Sequence, residues 1–302
     1  MAKNNSNLHG AKKAKNDEFY TQLSDIEKEC VHYRPHFKDK VVFCNCNDAL
    51  HSNFAKYFSL NFEFLGLKKL ICTAYKVDGI HGKVCIYEGD KNGNRVPDLD
   101  EWECHLLEGD GGFASEECIE FLKEADIVVT NPPFSLFREY VALLMQYNKK
   151  FLIIGNMNAS CYKEIFPLIK DNQMWLGQNA KGGTRKGNSL VFINDNGEEK
   201  DVSSWWYTNL DCVRHNTPLD LYKRYNEEEY PKYDNYDAIE VKRSCDIPMD
   251  YDGIMGVPIS FLMFHCPTQF EIIKFRKGND DKDLSVNGKC PYFRILIKRV
   301  SK

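Results

Sequence analysis

Asp126-Ile-Val-Val-Thr130-Asn131-Pro132-Pro133-Phe134 is a short β-branched apolar run that stops at two prolines and an aromatic. The run reads as a buried strand. Two prolines cannot continue it, because each fixes φ at roughly −65° and removes a backbone donor, which holds the preceding residue extended. Asn131 and Pro132 therefore sit in a rigid turn with their carbonyl oxygens outward. The Asn131 amide oxygen and the Pro132 backbone oxygen can each accept one hydrogen of an NH₂ group, and Phe134 offers a ring face to a planar group. A proline-closed strand explains the prolines alone, not Asn before them and Phe after them.

Outward from this corner the chain alternates. Lys40–Cys44 and Lys69–Tyr75 are strand-like, and Ser52–Leu65 between them places Phe54, Phe58, Phe62 and Leu65 on one helical face, with Ser52 as N-cap. Val84–Tyr87 followed by the Asn-Gly step in Glu88–Asn94 reads as an inserted hairpin. Glu103–Leu107 runs into Glu108-Gly-Asp-Gly-Gly112, a helix starts at Ser115, another spans Ser135–Tyr147, and Lys150–Ile154 is the next strand. Repeated βα units from Lys40 to Met157 predict an α/β fold. Its parallel sheet has helices on both faces and carries its ligands at the carboxyl edge. Past Lys170 the alternation is lost. Leu190–Ile193, Trp205–Tyr207 and Arg294–Ile297 are scattered strand candidates, and the acidic, Tyr-rich segment 226–236 reads as a solvated loop.

The 302 residues carry 40 basic and 44 acidic side chains, a net charge of −4, with 43% hydrophobic residues. Collagenous, mucin-like and disordered chains are excluded, and one large core or two modest ones are affordable. No run approaches the ~20 apolar residues of a membrane helix. The N-terminal MAKNNSNLHGAKKAKND lacks the apolar middle of an export signal and reads as a basic arm. The expectation is a cytoplasmic protein whose twelve cysteines are free thiols, mostly buried. Cys44 and Cys46 form the only CxC pair and no CxxC occurs, so no metal site is expected. With a slightly acidic chain, nucleic-acid contact must come from local patches.

The Asn131-Pro132-Pro133-Phe134 corner resembles the catalytic motif of amino-methyltransferases that use S-adenosylmethionine, whose target is the exocyclic amine of a base. Other landmarks follow in order. Phe19-Tyr20-Thr21 resembles the motif at the cofactor's methionine end, and Cys44-Asn45-Cys46-Asn47 stands where the family has a glycine-rich turn. There Asn45 and Asn47 are expected to take positive φ in place of glycine. Tyr75 follows the second strand, where an acidic ribose contact is usual, with Asp78 slightly later; the ribose contact is left unassigned. Asp110 and Gly111, in Glu108-Gly-Asp-Gly-Gly112-Phe113, resemble the adenine-binding turn.

Together with Leu65-Gly-Leu-Lys-Lys69, Met255–Phe261 and Pro291–Lys298, these segments resemble the EcoRI-type adenine-specific DNA methyltransferases nearly end to end. The resemblance implies a Rossmann-like methyltransferase sheet with an irregular C-terminal target-recognition region. Its parts are a basic arm (1–16), a cofactor-binding and catalytic domain (17–170), and a target-recognition region (171–302) that also completes the catalytic domain. It implies S-adenosylmethionine as methyl donor, S-adenosylhomocysteine as product, and a flipped adenine of double-stranded DNA as substrate. Asn131, Pro132, Pro133 and Phe134 are then catalytic. Tyr20, Thr21, Asn45, Cys46, Asn47, Tyr75, Asp110, Gly111 and Asn131 bind the cofactor. Lys13, Lys15, Lys181, Arg185, Lys186 and Trp205 touch DNA, although aromatic runs such as Trp205-Trp206-Tyr207 are more often core. A monomer is implied, either paired without direct contact with a restriction endonuclease or acting as a solitary or phage-borne modification enzyme. The absence of any Pro-Cys dipeptide argues against methylation at cytosine carbon. Methylation of a cytosine amine, an RNA base or a protein glutamine is the nearest competitor, and a cofactor-free DNA-binding module is the alternative from another class.

Overall fold

A computed structural model describes residues 20–46, 51–180, 190–193 and 199–300. Its strands are β1 (Tyr20–Thr21), β2 (Val41–Cys44), β3 (Lys69–Ala74), β4 (Lys83–Tyr87), β5 (Trp102–Leu106), β6 (Ile127–Thr130), β7 (Lys150–Asn156), β8 (Trp175–Leu176), β9 (Leu190–Ile193), β10 (Glu199–Val202), β11 (Ser204–Thr208), β12 (Ile239–Glu240), β13 (Met255–Pro258), β14 (Phe270–Phe275) and β15 (Arg294–Arg299). Two compact units result, one of residues 1–165 with 179–211 and one of 166–178 with 212–302. The chain thus passes into its second unit at 165/166, returns for 179–211, and leaves again. No described helix is long and apolar enough to cross a membrane.

The first unit contributes seven strands to one sheet, in the order β5-β4-β3-β2-β6-β7-β11. Only β3, β2, β6 and β7 are mutually parallel; β4 and β5 pair antiparallel at one side and β11 antiparallel against β7. Two expectations need correction here. The sheet is mixed rather than parallel, and Val84–Tyr87 is not an inserted hairpin but a strand of that sheet. It pairs antiparallel with its neighbours in sequence, β3 before it and β5 after it, so the hairpin character is real but belongs to the main sheet.

Among the described residues the first unit's helices of eight residues or more are α1 (Leu23–Cys30), α2 (Asn53–Leu60), α3 (Glu116–Glu124) and α4 (Phe137–Gln146); the helix expected over Ser52–Leu65 is broken at Asn61, with Phe62–Leu65 a separate short turn of helix. Ser52 caps α2 by accepting from Phe54 N, and Ser115 caps α3 by accepting from Cys118 N. Alternation along the strands puts helices on both faces. Trp206 meets Phe54 of α2 at 6.1 Å between ring centroids, while its neighbour Tyr207 meets Phe137 of α4 at 5.1 Å. All of β2, β6 and β11 is buried, as expected of strands covered on both sides.

Cys85 and Cys104 face each other across β4 and β5 with Cα atoms 4.2 Å apart, and their sulfurs are joined. This corrects the expectation of twelve free thiols: direct cross-strand opposition brings together two sulfurs 19 positions apart in sequence. The other ten are free, six of them buried.

The second unit holds a four-stranded sheet, β12-β13-β15-β14. Within it the Glu240 carboxylate, 5% exposed, accepts from Arg294 Nη2 at 2.6 Å and Nε at 2.9 Å, and also from the Tyr233 hydroxyl. Segment 226–236 contains no helix or strand, as its composition predicts, but it is not simply solvated: Tyr230 and Tyr233 are buried, the latter packed in the core of this unit.

Candidate active site

β2, β3 and β6 are parallel neighbours, so their carboxyl ends share one edge of the first unit's sheet. Each end carries one of the sequence's candidate segments. β6 ends at Thr130, and Asn131 follows half-buried, Pro132 buried, Pro133 and Phe134 half-buried. The Pro133 carbonyl accepts from Leu136 N at 3.0 Å, which opens a short helical turn into α4. The corner thus lies between a buried strand and a helix N-terminal turn, and neither proline needs the N–H it lacks.

The turn after β2 is fastened to this corner. Asn45 is 1% exposed; its backbone oxygen accepts from the Thr130 hydroxyl and its side-chain oxygen accepts from the Tyr140 hydroxyl. The left-handed residue of the turn is Cys46, at φ 63°, and not Asn45. That corrects the expected substitution of asparagine for glycine at residue 45: Asn45 is kept for its amide, not for its backbone freedom. Burial pushes the Tyr140 phenol well above its ordinary pKa, so it stays a proton donor to Asn45.

At the end of β3, Tyr75 is exposed, and Lys76 Nζ lies 5.1 Å from its ring centroid. Lys76 N donates to Asp110 O at 2.9 Å, which brings the Asp110–Gly112 turn to this strand end. Gly111, at φ 73°, packs backbone to backbone there: a Cβ would meet the Gly82 Cα at 2.8 Å. Asp110 Oδ1 accepts from Gly112 N at 2.9 Å. Asp78, the nearest carboxylate after β3, accepts instead from Ile80 N and His81 N of its own turn, at 2.9 and 2.6 Å.

Of Tyr20 only the backbone is described. Thr21 is buried, its carbonyl accepts from Asn53 Nδ2 at 2.8 Å, and its hydroxyl has no hydrogen-bond partner among the described residues. That bond ties the Tyr20–Thr21 strand to the first turn of α2. Trp205 is 2% exposed within β11. It is a core residue and not the DNA contact expected, because both faces of β11 are covered. Asn47, Lys13, Lys15, Lys181, Arg185 and Lys186 lie outside the described residues.

The edge therefore assembles Asn45, Cys46, Tyr75, Asn131 and Phe134 from three strand ends, with Asp110 and Gly111 brought to it by the turn after β5. Sequence reading passed over Thr130, Tyr140, Phe113 and Asn53, which hold these loops in place. One signal was available for Tyr140: α4 buries Phe137, Tyr140, Val141 and Leu144, and a hydroxyl on an otherwise apolar stripe needs a partner.

Residues 7–300 match the family described as adenine-specific methyltransferase EcoRI. The chain is 51% identical over 320 residues to the type II methyltransferase M.EcoRI of Escherichia coli, which covers 99% of this chain and 98% of that one. It is 38% identical to the type II methyltransferase M.MpnI of Mycoplasma pneumoniae, over 96% of this chain and 97% of the relative. No solved structure matches.

Proposed function

The chain belongs to the EcoRI family of adenine-specific methyltransferases, and from that premise we propose that it methylates the exocyclic amine of an adenine extruded from double-stranded DNA, with S-adenosylmethionine as donor. The observation that carries this reading is the Asn131–Phe134 corner at the carboxyl edge of the parallel strands, fastened through Thr130 to the turn after β2.

The residues present fit the donor. The buried Thr21 hydroxyl, unpartnered among the described residues, is a polar atom left for the methionine end. Tyr20 flanks it. Asn45 and Cys46 belong to the turn assigned to the cofactor, and Asn47 and Tyr75 are assigned to it as well. Asp110, one of whose oxygens already takes Gly112 N, keeps Oδ2 as acceptor for the adenine amine, beside Gly111. When bound, S-adenosylmethionine supplies a sulfonium methyl whose carbon–sulfur bond breaks as the bond from the amine nitrogen forms.

The chain's own residues bind and orient. The Asn131 amide oxygen and the Pro132 carbonyl accept the two hydrogens of the target amine, which draws its nitrogen toward tetrahedral geometry and frees its lone pair. Phe134 stacks on the extruded base. Positioning and fixed dipoles supply the rate, with no covalent nucleophile on the protein. One amine proton leaves to solvent once the nitrogen has been methylated.

The first unit is then the cofactor-binding and catalytic part, completed by residues 179–211, and residues 212–302 belong to target recognition. Lys13, Lys15, Lys181, Arg185 and Lys186 supply phosphate contacts. A cytoplasmic monomer completes the reading, serving a restriction-modification pair or acting alone.

Incubation with methyl-labelled S-adenosylmethionine and mixed-sequence duplex, followed by nucleoside mass spectrometry, tests it. Labelled N6-methyladenine from the wild type, absent with Asn131→Ala while cofactor and DNA binding stay within a few-fold, is the expected result. Turnover retained by Asn131→Ala, or label on cytosine, RNA or protein, overturns it.

A further inference from the structure

One side chain touches two loops of the proposed site and reaches the third through a shared partner. Tyr140 is 0% exposed on α4, the helix that follows the Asn131–Phe134 corner. Its hydroxyl donates to the Asn45 side-chain oxygen in the turn after β2. Its ring meets Phe113, next to the Asp110–Gly112 turn, edge to face at 5.1 Å and 80°. Asn45 in turn accepts the hydroxyl of Thr130, the residue before Asn131. Thr130 and Asn45 are both buried, so these bonds have no water to replace them.

We infer that Tyr140 is a positioning residue of the methyl transfer: acting through Asn45 and Thr130, it fixes the cofactor-side turn against Asn131. The inference rests on the proposed function, since it assigns the turn to the methyl donor and Asn131 to the target amine. Two fasteners converge on one asparagine, one at its side chain and one at its backbone. Without either, the turn shifts relative to the corner, and both cofactor affinity and the alignment of the two reacting centres suffer. DNA affinity is spared, because Tyr140 is wholly buried.

Tyr140→Phe keeps the ring and its contact with Phe113 while removing the hydroxyl; Thr130→Val does the same for the second fastener. The measurements are calorimetric binding of S-adenosylmethionine, duplex binding, and kcat and KM counted per folded molecule. Each variant is expected to bind the donor roughly 5- to 30-fold more weakly and to lose kcat as well, with duplex affinity unchanged. The double variant should fall short of the product of the single effects, since both act on Asn45. Thr130→Ser, which keeps the hydroxyl, should recover most of the loss seen with Thr130→Val. A purely structural role would lower the melting temperature and leave these constants alone. Donor affinity and kcat both within about twofold of wild type in folded Tyr140→Phe and Thr130→Val overturn the inference. A wild-type protein that binds no S-adenosylmethionine overturns the proposed function, and this inference falls with it.

Discussion

Gly111 lies so close to Ala74 at the end of β3 that a Cβ on it would come within 2.4 Å of the Ala74 carbonyl oxygen. Gly93 has a similar left-handed backbone, φ 80° against 73°, but nothing within 4 Å of its Cβ position. The pair separates backbone strain from crowding. Gly93→Ala should cost about 1 kcal/mol, the usual penalty of a left-handed alanine. Gly111→Ala meets that penalty and must also push the Asp110 turn off β3, so it should cost at least ~2 kcal/mol and weaken donor binding. Urea denaturation of both variants, with donor titration, checks this; equal losses would mean that the close approach is immaterial.

Phe134 is half-buried at the corner, with a ring face assigned to the extruded base. Phe134→Ala should weaken binding of duplex carrying the target by the ~1–3 kcal/mol typical of a lost aromatic–base stack. Donor affinity should stay near wild type, because the ring is not assigned to the cofactor. The fluorescence of 2-aminopurine placed at the target adenine reports extrusion directly. An unchanged enhancement in the variant would remove Phe134 from the base pocket.

Local chemistry made much of this legible in sequence. Two prolines after a β-branched run end a strand wherever they occur, and Ser52 and Ser115 cap the helices they precede. What stayed hidden depends on partners far along the chain. The Asn45 turn looked like a glycine turn with asparagine in place of glycine, yet its amide serves Tyr140, 95 positions away, and Cys46 takes the positive φ. Val84–Tyr87 looked like an excursion because a run of apolar residues shows that a strand forms, not which sheet edge it joins. Trp205 is buried in β11, as aromatic runs usually are, but nothing near it announces the pairing of β11 with β7 that brings the strand into the sheet. The residues proposed to touch substrate carried motifs; those that hold them did not.

The Glu240–Arg294 pair is nearly sealed, with side chains 6% and 12% exposed. Gly256 makes room for its third member: a Cβ there would strike the Tyr233 hydroxyl. Arg294→Met leaves a buried carboxylate held only by tyrosine and should cost ~3–5 kcal/mol. Replacing both partners, Glu240→Leu with Arg294→Met, removes the stranded charge and should cost less than the single change. Urea midpoints of the two variants decide it, and a double variant worse than the single would show that the pair is a net source of stability.

His265 gives the second unit a pH dependence near neutrality. It is 5% exposed, its Nε2 lies 2.9 Å from the Phe270 carbonyl, and rings of Phe261 and His215 stand 5.8 and 6.1 Å away. Burial lowers its pKa below the ordinary 6.5, and the carbonyl contact offsets only part of that. The unfolded chain therefore takes up this proton more readily than the folded one. The stability tied to neutral His265 is complete above pH 6.5 and is lost as the pH falls below that value toward the folded pKa. Melting temperatures at pH 7.5 and pH 5.5 should separate more for the wild type than for His265→Gln, which keeps a donor for Phe270 but cannot titrate. An equal separation in the two proteins would place the acid sensitivity elsewhere.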